Sequence, residues 1–121
     1  PRHCNAEYEL HILLAGSCLF EIEEKTKTAI FKNRHLLKND TLIHGDFCLP
    51  NIILKNWQPA ALIDVDHGGI GDRHVDLFWA IWSLRFNTNT DQWADAFLDA
   101  YGRDRVDEEK LRIVAAAEVF G

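Results

Sequence analysis

The 121-residue sequence has no run of 18 consecutive apolar residues, which excludes a membrane-spanning helix. No basic n-region followed by an apolar h-region opens it, so no secretory signal is expected. Cysteine is scarce. Cys4, Cys18 and Cys48 are an odd set without CxxC spacing, and they predict a reduced, cytoplasmic protein. Positive charge is in deficit too: 13 Lys and Arg against 19 Asp and Glu leave a formal net charge of −6. That balance disfavours nucleic acid and anionic membrane as partners and suits a cationic substrate, through encounter rather than fold. Internal repeats, low-complexity tracts and domain linkers are missing as well. What remains is one domain at most, with 47% hydrophobic and 26% charged residues, the make-up of a globular chain. Pro1-Arg2-His3-Cys4 reads as the start of a fragment.

Apolar residues recur with helical spacing over residues 6–16, ending at Gly16, and again from Leu19 to Ile30 after a capping Ser17. Lys32 to Asp40 is polar and leads into a short strand at Leu42-Ile43. Ile52-Ile53-Leu54 and Ala61-Leu62-Ile63 then form a hairpin signal, with Lys55 to Pro59 as a longer loop between them. Glycines 68, 69 and 71 mark backbone that needs positive φ or close approach. From Val75 to Phe86 apolar residues cover so much of a helix that it should be buried. Two more helices follow. One carries Trp93, Phe97, Ala100 and Tyr101 and stops at Gly102; the other runs from Glu108 to Phe120 behind Asp107. The expected fold is α+β and mostly α, a single domain over 1–121 with a small β insertion.

Within this plan Asp46, Asn51 and Asp64 stand at a telling spacing, in HGDFCLPN and IDVDHGG. Protein kinases use the same parts: a catalytic-loop Asp, an Asn five residues on, and a further Asp on the metal. The Asp orients a substrate hydroxyl and accepts its proton. The Asn oxygen and second carboxylate suit Mg2+, a hard cation that prefers oxygen ligands. A hairpin brings its ends together, so Asn51 at the entry and Asp64 at the exit should be neighbours. His44 reads as scaffold, its ring holding the loop through backbone.

HGDFCLPN followed by IDVDHGGIGDRHVDL resembles the HGDxxxxN and IDxxxxGxxDxxxDL motifs of the aminoglycoside phosphotransferases, in particular the 3'-phosphotransferase branch. The resemblance runs from Thr41 to Phe120, and loosely over residues 5–40. It implies the C-terminal lobe of a protein-kinase-like fold whose hairpin carries the catalytic and metal residues. The N-terminal, nucleotide-gripping lobe would then be absent, and the isolated chain inactive. It implies Mg2+ with ATP or GTP as phosphoryl donor, and a cationic amino sugar as substrate. Asp46 becomes the base, Asn51 and Asp64 the metal ligands, and His44, Asp72 and Asp76 supports of the loop. In that branch acidic residues and the terminal carboxylate bind the substrate ammonium groups, and Glu118 and Phe120 fall where the family has a Glu and a terminal Phe, with Gly121 following here. His67 is a third candidate for substrate contact. The family commonly has Arg where His67 and Trp82 stand, and a small residue at Asp66. The surface facing the absent lobe would favour self-association.

Three rival readings stand beside this one. Another small-molecule kinase of the clan, acting on choline or a sugar, would use the same loop. Asp64, Asp66 and His67 with His44 and Cys48 could instead form a transition-metal site. A lobe without its partner could also serve as a binding or assembly module only.

Overall fold

The computed structural model describes residues 32–120 of the chain, and for Val119 and Phe120 the backbone only. The two helices expected within residues 6–30 lie outside the described residues. The described order runs from a 3-10 turn (Arg34–Leu36) to strand β1 (Thr41–Ile43), a second 3-10 turn (Leu49–Asn51), then strands β2 (Ile52–Lys55), β3 (Gln58–Leu62) and β4 (Gly69–Gly71), with a third 3-10 turn (Arg103–Arg105) before the last helix. Three helices complete it: α1 (Arg73–Thr88), α2 (Gln92–Tyr101) and α3 (Glu108–Phe120). It is a small, mostly helical unit with two antiparallel strand pairs.

Helix α1 is its axis. Asp72 caps it by accepting from His74 N, and Asn89 closes it in the left-handed region with φ 55°. Leu77, Phe78, Trp79, Ala80, Ile81 and Trp82 are buried in succession, so the helix is covered on every side. Ala94 of α2 and Leu111, Val114 and Ala115 of α3 pack against it. Trp79 meets Phe78 and Trp82 edge-on, and Trp82 stacks on Phe86 with ring centroids 5.0 Å apart. Gly102 ends α2, and Asp107 caps α3 by accepting from Glu109 N and Lys110 N.

The strands depart from the sequence reading in two places. The β2–β3 connection is no longer loop but the two-residue turn Asn56-Trp57, with Lys55 facing Gln58. Both turn residues sit at positive φ, 52° and 62°, as a tight hairpin of right-handed twist demands. Pro59 lies inside β3 opposite Leu54, where it has no amide to give the ladder, and the register slips between Ile53 and Leu54. The second departure is β4. Gly69-Ile70-Gly71 pairs antiparallel with β1, placing Ile70 opposite Leu42. A Cβ at Gly71 would stand 2.6 Å from Ile43 Cδ1, the far end of a flexible side chain that can swing aside.

Trp57 is 89% exposed and holds no packing that a smaller residue would lose. A non-glycine residue in the left-handed region costs about 1–2 kcal/mol, while glycine costs the folded chain about 0.5–1 kcal/mol in entropy. Trp57→Gly is therefore expected to raise stability in urea unfolding, by roughly 0.5–1 kcal/mol. A loss of stability would mean the two-residue turn is wrong.

Candidate active site

Two turns of α1 organise the loop from His44 to Asn51. Asp76, in the first turn, accepts His44 N on one oxygen and Gly45 N on the other, both at 2.8 Å. Gly45 adopts φ 85°, and a Cβ there would lie 2.2 Å from the His67 carbonyl oxygen. Only glycine fits so close to that backbone. The His44 ring is 7% exposed and fully engaged: Nε2 lies 2.7 Å from Ile63 O, and Nδ1 lies 3.2 Å from Asp46 N. An amide can only donate, so Nδ1 accepts and Nε2 carries the proton that goes to Ile63 O.

Asp46 follows, half-buried. The Cys48 thiol donates to its Oδ1 at 3.3 Å, and Asn51 Nδ2 reaches Oδ2 at 3.4 Å and the Asp46 carbonyl at 2.8 Å. With its amide nitrogen committed to Asp46, Asn51 is left with Oδ1 as an acceptor. Its own carbonyl accepts Ile63 N at 3.0 Å, which joins the hairpin's exit to its entry. Asp64 comes next, exposed, at φ 58°. Among the described residues no hydrogen bond or ion pair engages its carboxylate. The Asn51 amide oxygen and the Asp64 carboxylate, one residue beyond the Ile63–Asn51 backbone bond, are both uncommitted and are of the donor type a hard divalent cation takes.

The transition-metal alternative does not assemble. Among the described residues no three His, Cys, Asp or Glu side chains converge to hold a metal ion. His44 spends both ring nitrogens on backbone, and Cys48 turns to Asp46. Asp66 and His67 are exposed, and His67 meets the loop through its backbone at Gly45. Glu118 is exposed near the end of α3; Phe120 is the last residue of that helix, and its side chain lies outside the described residues.

Two polar positions in α1 escape the sequence reading. Ser83 is fully buried and accepts Leu49 N at 2.8 Å. A lone serine in the apolar run FWAIWSLRF was the available signal. His74 is 3% exposed and donates from Nδ1 to Asp72 Oδ1 at 2.6 Å, while its Nε2 accepts Asp107 N at 2.9 Å. Accepting at Nε2 makes the ring neutral, so its contact with Asp72 is a hydrogen bond rather than an ion pair. Asp72 Oδ2 also accepts Lys38 N at 2.8 Å. Burial works to raise the Asp72 pKa, but the amides of His74 and Lys38 and the His74 ring outweigh it and hold the carboxyl below its ordinary 3.8.

A carboxyl with a lowered folded pKa stabilises the fold fully above its unfolded value, and that contribution disappears as pH falls through the folded value. Asp72→Asn should therefore melt below wild type near neutrality, by a margin that shrinks only once acidification passes 3.8. Thermal melts of both proteins across that range test it; a margin independent of pH would contradict the charged assignment.

Comparison with known proteins now bears on this geometry. The profile of the phosphotransferase enzyme family matches residues 2–114. A "Probable aminoglycoside 3'-phosphotransferase" of Lactococcus lactis subsp. lactis (strain IL1403) is 56% identical over 98 residues, covering 81% of this chain and 37% of that protein. An aminoglycoside 3'-phosphotransferase of Niallia circulans is 32% identical over 91 residues, 75% of this chain and 35% of that one. A streptomycin 3''-kinase of Streptomyces griseus is 38% identical over 80 residues, 60% of this chain and 29% of that protein. The match thus spans about a third of the length of these relatives.

Proposed function

The chain belongs to the phosphotransferase enzyme family, and from that premise we propose that it is the catalytic-loop lobe of a kinase-like enzyme acting on aminoglycosides. The γ-phosphoryl group of ATP or GTP passes to a substrate hydroxyl. Asp46 orients that hydroxyl and takes its proton as the new O–P bond forms and the nucleoside diphosphate leaves. Asn51 Oδ1 and the Asp64 carboxylate would hold Mg2+, which supplies charge neutralisation for the phosphates. His44 and Asp76 keep the loop in place, and Asp72 fixes the start of the helix that carries Asp76. Glu118, Phe120 and His67 are the substrate-side residues of this proposal, with a cationic amino sugar as the substrate. Relatives with 3'- and 3''- in their names leave the choice of hydroxyl open.

One observation supports this most. Direct hydrogen bonds tie Asp46, Asn51 and the residue before Asp64 into a single cluster: Asn51 Nδ2 to the Asp46 carbonyl, Ile63 N to Asn51 O, and His44 Nε2 to Ile63 O. Phosphoryl transfer is mainly positioning and electrostatic stabilisation of the phosphates, and it needs such a cluster. It also needs groups that grip the phosphates, and a third of a relative's length leaves room for those elsewhere. The chain by itself is therefore expected to transfer no phosphate.

In the enzyme completed by a nucleotide-binding lobe, Asp46→Asn should lower turnover by roughly 10²–10⁴, the usual worth of a general base, and leave nucleotide affinity nearly unchanged. Asp64→Ala should abolish Mg2+-dependent nucleotide binding, because Asn51 alone is a neutral, weak ligand. Steady-state assays with an aminoglycoside, choline and a simple sugar as acceptors measure the first effect and identify the substrate class. Turnover of Asp46→Asn within threefold of wild type would remove Asp46 from the mechanism.

A further inference from the structure

Between Cys48 and Asn51 the backbone donors divide unevenly. Cys48 N bonds Asp46 O at 2.8 Å and Asn51 N bonds Cys48 O at 2.9 Å, both within the loop. Pro50 has no amide proton. Leu49 N alone is answered from outside, by Ser83 Oγ at 2.8 Å. Ser83 has 0% exposure in the middle of α1, and surface-lying Asn87, one turn further on, donates to its carbonyl at 2.7 Å and to its Oγ at 3.3 Å. A buried serine in an apolar helix is retained at a cost unless its hydroxyl has partners. Here they are Leu49 N, from the turn that ends at Asn51, and Asn87 Nδ2 at the longer distance.

Asp76 and Ser83 are seven residues apart on α1, two turns on one face and roughly 10 Å of axial rise. Asp76 grips the loop before Asp46, at His44 and Gly45, and Ser83 grips it beyond, at Leu49. The loop is thus strung between two fixed points on a buried helix. We propose that Ser83 is a positioning residue of the active site: through Leu49 N it sets the 3-10 turn that aims Asn51 Oδ1 at the cation. This inference rests on the proposed role of Asn51 as metal ligand.

Two measurements on the chain keep the inference and that reading apart. Hydrogen exchange reads the anchor itself: in Ser83→Ala the Leu49 amide should exchange about tenfold faster or more, the scale of one lost hydrogen bond, with the α1 amides changed far less. Broadening of the Asn51 side-chain amide signal by added Mn2+ reads the ligand, and Ser83→Ala should weaken it severalfold. Leu49→Pro serves as the second variant. It deletes the donor and leaves the core intact, at a first-turn position where proline is tolerated, preceded by Cys48 in extended conformation at φ −98° and ψ 154°. It should weaken the Mn2+ effect as Ser83→Ala does, and the double variant should be little worse than either single one, because both remove the same bond.

Unchanged Leu49 exchange in Ser83→Ala would overturn the proposal. So would Leu49→Pro with undiminished Mn2+ broadening, or losses that simply add in the double variant. If Ser83→Ala loosens all of α1, Leu49→Pro decides by the same criteria. Wild-type protein without Mn2+ broadening at Asn51 would refute the metal assignment, and with it the role given to Ser83. Leu49 exchange would then still report whether the anchor exists.

Discussion

A single carboxylate holding two consecutive amides is the contact on which this site depends. The His44 and Gly45 N–H groups both point at Asp76, one to each oxygen, and consecutive amides point the same way only where the backbone turns sharply. Gly45 supplies that turn with φ 85°, in space too tight for a Cβ. Charge-assisted bonds of this kind are about twice as strong as neutral ones. Removing their acceptor would leave two donors stranded where water is scarce. The bend aims the Asp46 backbone, and everything downstream inherits its direction.

Asp76 can serve as an anchor because α1 is packed on every side. Six successive buried residues from Leu77 to Trp82 fix the helix on all sides, and α2 and α3 close over it. Its start is held by a separate polar chain. Lys38 N and the His74 ring meet on Asp72, and Asp107 N meets the far side of His74. That chain ties the approach to β1 and the starts of α1 and α3 to one point. Each buried polar group in it has a partner, which is the condition for polarity inside a core to rigidify rather than destabilise.

Much of this was legible in the sequence, for reasons of range. Asp46, Asn51 and Asp64 stand out as candidates because the chemistry proposed for them depends on residue type and short spacing. The hairpin between them is read from two apolar runs. Helices α1, α2 and α3 follow from periodicity, with Gly102 and Asp107 marking two of their ends. Other features depend on partners distant in the chain. Gly69-Ile70-Gly71 has no strand propensity of its own and becomes β4 only because β1 lies beside it. Asn56-Trp57 lacks the glycine that announces a two-residue turn, so the connection looked longer. Ser83 is polar in an apolar helix, and nothing local says whose amide it meets.

The proposed metal ligands belong to two different supports, and this shapes how the site must work. Asn51 is carried by the loop strung on α1, whereas Asp64 sits at the exit of a hairpin whose outer residues are largely exposed. Two bonds connect the supports, and both end on Ile63: His44 Nε2 at its carbonyl and Asn51 O at its amide. Ile63 is thus gripped at both its amide and its carbonyl, one residue before Asp64. Holding both groups of residue 63 restricts the chain there and leaves the left-handed bend at Asp64 to turn its carboxylate. Aspartate tolerates that conformation better than most residues. The loop therefore holds the end of the hairpin, and the His44 ring joins the two supports through the Ile63 carbonyl, one residue before Asp64.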